Sequence, residues 1–214
     1  MHSLLLTMQF GPTFMRMPPS GHRYFALYKP QNMLSQFTGK EGGPFLGDLG
    51  FDFPQGSHAI GRLDKYSEGL LLITTNPAIT RLLFQGQVPH RRTYVVQVRN
   101  PMSLETLQHL RKGGVISSGN DALWLTSPCE AEIIPRPEAL ASGEQELPEF
   151  VSQTWLRITL CEGRFHQVRK MVHALRHKCF RLIRTSIEDL PLGAMRPGEI
   201  RELPDNDFFR LLRL

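Results

Sequence analysis

The sequence predicts an α+β fold built around a largely antiparallel, mixed sheet with flanking helices. Two observations carry this. Strand-like apolar runs outnumber helical ones, and neighbouring strand runs are joined by turn signals. Internal repeats, heptads and low-complexity tracts are absent from the sequence, so solenoid and coiled-coil architectures are excluded.

The elements follow in chain order. Residues 1–21 hold Pro12, Pro18, Pro19 and Gly21 and read as a loose N-terminal arm, with the folded domain over 22–214. "RYFALYKP" (23–30) reads as a short strand stopped by Pro30. "HAIG" and "LLLITT" read as buried strands flanking the loop "GRLDKYSEG", in which Ser67 and Glu68 are expected as loop residues. Asn76-Pro77 opens a helix through "AITRLLFQ". "RTYVVQV" (92–98) is a strand with Tyr94, Val96 and Val98 on one face. Ser103 caps the helix "LETLQHLRK", which Gly113-Gly114 ends. "GVISSG" and "ALWLT" read as strands, and 137–149 as a mobile acidic loop. "TWLRITL" (154–160) is a strand with Leu156, Ile158 and Leu160 on one side. "HQVRKMVHALRH" is a helix with Val168, Met171, Val172 and Leu175 at helical spacing.

Composition narrows the function classes. A chain of 214 residues with 21% charged residues is long enough for a sizeable core, and it holds no apolar run of membrane-spanning length. The start lacks a basic n-region and a cleavage site, so a signal peptide is not expected. Cys129, Cys161 and Cys179 lack metal-ligand spacing and read as thiols of a reducing cytoplasm. The net charge of +5 is unevenly spread. "RFHQVRKMVHALRHKCFRLIR" (164–184) contains seven Lys or Arg, three His and no acid, whereas 137–149 contains four Glu and no base. Such clustering marks a docking surface for a polyanion.

Three stretches carry candidate chemistry. Asp64 stands in "GRLDKYSEGLLL" beside Arg62, either as a turn aspartate or as a carboxylate held at the core edge, where it needs a partner to stay charged. Tyr94 is either a core residue or a stacking surface in a cleft. In "EGRFHQVRKM" (162–171), Arg164, Gln167, Arg169 and Lys170 crowd the first turns of a helix. Cations there oppose the helix dipole, and an incoming phosphate would relieve that arrangement.

Together with "YKPQNMLSQFT", these stretches resemble the pseudouridine synthases, in the branch of small enzymes that modify ribosomal RNA, and most nearly its E-type large-subunit (23S) group. The resemblance runs from about Tyr24 to Glu202 and rests on four motifs in order. Gln31-Asn32 departs from the glycine common after K-P, and the arm is too short for the S4-type RNA-binding domain that many relatives carry.

The resemblance implies the pseudouridine synthase fold with a central catalytic cleft, and isomerisation of a specific uridine in large-subunit ribosomal RNA. It implies Asp64, Tyr94 and Arg169 as the catalytic group, with Asp64 the nucleophile and Arg169 the cation beside it. A covalent adduct and assisted elimination both remain open. Arg62, Arg92, Arg164, Gln167 and Lys170 are the expected RNA contacts. No metal, cofactor, nucleotide cofactor or membrane is expected, and the protein is expected to be a cytoplasmic monomer. Two other classes stand beside this reading. One is a non-catalytic RNA-binding or ribosome-assembly protein. The other is a glycoside hydrolase, which would need Glu68 as its proton donor.

Overall fold

Strand β1 (Tyr24–Lys29) is buried along its whole length, since it lies between two strands and both its faces are covered. Its alternation divides the core. Tyr24, Ala26 and Tyr28 enter one apolar cluster, while Phe25 and Leu27 enter another. This computed structural model describes residues 21–40, 42–85, 89–119 and 122–214. Apart from Gly21, the expected arm at 1–21 lies outside the described residues.

A 3-10 turn (Leu46–Leu49) is followed by β2 (His58–Ile60), β3 (Glu68–Thr74), α1 (Ile79–Gln85), β4 (Arg92–Arg99) and α2 (Leu104–Lys112). Then come β5 (Val115–Gly119), β6 (Ala122–Leu125), β7 (Glu130–Ile134), β8 (Gln153–Leu160) and α3 (Gln167–Ala174). The chain closes with β9 (Cys179–Ile187), β10 (Leu190–Pro191), β11 (Ile200–Leu203) and α4 (Asp205–Leu212). The sheet runs β11-β1-β3-β9-β4-β8-β7, with β2 on β3 and β10 on β9. Among the described strand pairs only β3–β9 is parallel, so the expected α+β, largely antiparallel mixed sheet is observed. β5 and β6 form a separate two-stranded hairpin.

The local signals behave as their chemistry requires. Ser103 Oγ accepts from the Thr106 amide at 3.0 Å, and Asn76 Oδ1 accepts from the Ala78 amide at 3.1 Å. β3 repeats the division made by β1, sending Leu70 and Leu72 to one cluster and Leu71 and Ile73 to the other. Val96, Val98, Leu156, Ile158, Leu160, Val168, Met171 and Val172 build a third cluster between the sheet and α3. The terminal apolar run is a helix that packs Phe208 on Tyr24, ring centroids 4.3 Å apart.

The expectation of a mobile loop over 137–149 is overturned. Glu146 ion-pairs with Arg136 and accepts from Arg181 Nη1 at 2.5 Å. Gln97 brackets Leu147, accepting from its amide at 2.9 Å and donating to its carbonyl at 3.2 Å. One carboxylate among four reaches a buried cation, and that ties the whole segment to the sheet.

Candidate active site

The segment 61–67 turns into β3, and its backbone is clamped from three directions. Ser35 Oγ donates to the Leu63 carbonyl at 2.8 Å and accepts from the Leu63 amide at 3.0 Å. Lys29 Nζ donates to the Lys65 carbonyl at 3.4 Å, and Arg169 Nη2 to the Tyr66 carbonyl at 2.8 Å. Within the loop, the Ser67 amide donates to the Asp64 carbonyl at 2.9 Å, closing a turn. The loop is thus held by polar clamps from β1, the segment after it, and α3. The buried "LLL" alone does not fix it.

Gly69 makes the docking of β3 possible. Its φ is +101°, and a Cβ there would lie 2.4 Å from the Arg184 carbonyl oxygen of β9. The glycine therefore sets how closely the loop's exit strand approaches β9.

This frame leaves the Asp64 side chain 27% exposed, at a rim where solvent and a ligand can reach it. Its Oδ2 accepts from Ser67 Oγ at 3.5 Å, and its Oδ1 stands 3.5 Å from His166 Nε2. His166 is held in the left-handed region, φ 55°, at the head of α3, and Phe165 stacks on its ring at 3.8 Å. Arg169 was the cation expected beside Asp64. It instead donates to the Tyr66 carbonyl and, at 3.5 Å, to Ser67 Oγ, so it supports the loop and the serine that faces Asp64. His166 fills the place beside the carboxylate. Residue spacing on α3 could not separate these two, because the left-handed turn swings position 166 inward.

Electrostatics places the same groups together. Burial raises the Cys179 thiol to about 11, against the pull of Arg169 and with a push from Asp64. Burial lowers the Lys29 ammonium to about 7, although Glu68 and Asp64 pull it up. Lys29 Nζ also donates to Pro30 O at 2.8 Å and Met33 O at 2.7 Å. Above pH 7 the folded chain has released a proton that the unfolded chain, with its lysine at 10.5, still holds. Stability therefore rises with pH across that window. Lys29→Met is expected to flatten the rise, which urea unfolding at pH 7 and pH 9 reads directly; an unchanged slope would contradict it.

The remaining expected residues divide into two sets. Arg62 is exposed, and Arg164 is exposed with its guanidinium 3.6 Å from the centre of the Trp124 ring. Lys170 is half-buried, its Nζ 5.2 Å from the Phe165 ring centre. Arg92 and Gln167, by contrast, turn inward. Arg92 is 7% exposed and packs against Gly163, and burial lowers the pKa of its guanidinium. Gln167 is buried and braces the turn before α3, donating to Glu162 Oε1 at 2.6 Å and accepting from the Arg164 amide at 2.9 Å. Tyr94 is half-buried and joins the cluster behind α3 to the one containing Leu63, the neighbour of Asp64.

Glu68 and Ser67 are not the loop residues expected. Glu68 begins β3, is buried, and accepts from Arg181 through both oxygens at 2.9 Å and from the Tyr28 hydroxyl at 3.1 Å. Oxygens occupied by those donors are unsuited to the proton donation a glycoside hydrolase needs. The signal was present in the sequence, as an acid heading one wholly apolar strand and a lone Arg181 within another.

Comparison with known proteins agrees with this geometry. The family profile described as RNA pseudouridylate synthase matches residues 23–174. The chain is 34% identical over 177 residues to ribosomal large subunit pseudouridine synthase E of Vibrio parahaemolyticus, covering 82% of this chain and 71% of that one. It is 29% identical over 191 residues to ribosomal large subunit pseudouridine synthase B of Bacillus subtilis, covering 89% and 72%. A crystal structure described as a pseudouridylate synthase superposes with a TM-score of 0.72 at 25% identity, over 89% of this chain and 74% of that one. The chain belongs to the RNA pseudouridylate synthase family.

Proposed function

We propose that this chain isomerises a specific uridine of large-subunit ribosomal RNA to pseudouridine, with Asp64 as the nucleophile. Membership of an isomerase family supports the reaction class, and the names of the relatives support the RNA. The observation that carries the reading is Asp64 itself, a carboxylate held at an accessible rim by a loop clamped on three sides.

The target nucleotide leaves its stack to reach that rim. The Asp64 carboxylate attacks C1′ as the N1–C1′ bond breaks and its electron pair leaves on the uracil. The base turns, C5 bonds to C1′, and the carboxylate is released. The C5 proton is lost and N1 gains one, so the product is an isomer of the substrate. Nothing in this balance calls for a cofactor. The Tyr94 ring is read as the wall on which the turning base stacks. Arg169 and Ser67 position the loop, and Arg62, Arg164 and Lys170 meet phosphates. The reading places this work in the cytoplasm, by a monomer.

Incubation with unmodified large-subunit ribosomal RNA, followed by chemical mapping of pseudouridine, tests it. One new site approaching full occupancy is expected. RNA bound firmly with no pseudouridine formed would overturn the reading in favour of a non-catalytic binder.

A further inference from the structure

A cavity of about 380 Å³ adjoins the Asp64 rim, between α3 and the β5–β6 hairpin. His166, Arg169, Lys170, His173 and Lys178 line one wall, and residues 115–117 of the hairpin line the other. Among the described residues that line it, none is acidic. Nor do Arg169, Lys170 and Lys178 take part in an ion pair among the described residues, whereas Arg23, Arg157, Arg210 and Arg213 each sit on a carboxylate. Cations gathered without a carboxylate repel one another, and a polyanion is the ligand that relieves them.

The groove's mouth carries a second, independent feature. Phe165 is 67% exposed, with its ring stacked on His166, which is itself 3.5 Å from Asp64. An exposed aromatic ring beside a basic channel is the arrangement on which unpaired bases stack. The far wall is built to stay in place. A lone two-stranded hairpin is marginal in water, and here Trp124 is pinned by the Arg164 guanidinium at 3.6 Å while Ile116 is buried in the α3 cluster. On the hairpin's outer face, Val115, Leu123 and Leu125 are exposed.

We propose that this groove holds the single-stranded RNA next to the target uridine. A flanking base stacks on Phe165, and its phosphates run along Lys170, His173 and Lys178. The proposal rests on the reading of the chain as an RNA isomerase and adds the path of the strand beyond the reacting nucleotide.

Anisotropy of a labelled single-stranded oligouridylate, titrated at several salt concentrations, tests the groove without requiring turnover. His173 and Lys178 are exposed, so His173→Ala/Lys178→Ala is expected to keep the wild-type melting temperature. Its dissociation constant is expected to rise about tenfold and its salt slope to shrink by about one to two units. Phe165→Ala is expected to weaken binding about tenfold with the salt slope retained, because stacking releases no counterions. A 4-thiouridine version of the oligonucleotide is expected to crosslink to peptides from 115–125 and 165–178. Wild-type affinity in both variants, or crosslinks confined to other peptides, would overturn the groove. In that case an apolar partner on the hairpin's outer face becomes the better account of Val115, Leu123 and Leu125. Failure of the isomerase reading is separately visible, as a wild-type protein that makes no pseudouridine.

Discussion

Asp64→Asn is expected to abolish pseudouridine formation, lowering the rate at saturating RNA by about four orders of magnitude or more, the scale seen when a nucleophile is removed. That loss corresponds to about 5.5 kcal/mol of transition-state stabilisation. The substitution keeps the shape of the side chain and its hydrogen bond from Ser67, so the loop should stay in place. The clamps on that loop come from Ser35, Lys29 and Arg169 and touch backbone atoms, none belonging to the Asp64 side chain. RNA affinity is expected to stay level or improve slightly, because a negative charge is removed from a surface that meets phosphates. Single-turnover mapping of pseudouridine, with binding measured on the same RNA, separates the two quantities. Pseudouridine formed by Asp64→Asn at more than a hundredth of the wild-type rate would remove Asp64 from the role of nucleophile. Loss of binding in parallel with turnover would make the carboxylate a structural group.

The loop around Asp64 was legible because a carboxylate next to a wholly apolar strand is costly unless something holds it. The basic helix was legible because its charge is concentrated along one stretch. The helices and most strands followed from periodicity and caps, as at Ser103 and along Val168, Met171 and Val172. What escaped depends on side-chain direction and on contacts distant in sequence. Arg169 and His166 are three residues apart on one helix head, and only the left-handed φ at 166 decides which meets the carboxylate. Arg92 looked like a surface cation because "RR" precedes a strand, yet the strand begins at 92 and takes the second arginine inside. The order in 137–149 hangs on one pairing between positions 35 apart, and no local composition reports that.

That pairing carries the largest expected effect on stability. Arg181 is fully buried, donates through two nitrogens to Glu68 and through a third to Glu146, and gives a further bond to the Ala141 carbonyl at 2.9 Å. Gly143 rests against the guanidinium, where a Cβ would come within 2.6 Å of its carbon. Arg181→Ala strands the Glu68 carboxylate in the core and releases the 137–149 segment. A buried pair broken on one side costs about 3–5 kcal/mol. For a chain of this size that lowers the melting temperature by about 10 °C. Limited proteolysis is expected to cut Arg181→Ala within 137–149 well below the melting temperature. Arg181→Ala combined with Glu68→Gln is expected to recover part of the loss, since the stranded charge is gone. The network also predicts a pH dependence. Burial alone would raise the Glu146 carboxyl, but hydrogen bonds and charge from Arg136 and Arg181 hold it below its ordinary 4.5. Its contribution is present above the unfolded value and is lost as pH falls through the folded one. Proteolysis of the wild-type segment should therefore stay slow down to about pH 4.5 and speed up below it, whereas Arg181→Ala should be cut readily at neutral pH. A variant as resistant as wild type, melting within 2 °C of it (roughly 0.5–1 kcal/mol), would show that the segment is held by its apolar contacts and that the buried ions are dispensable.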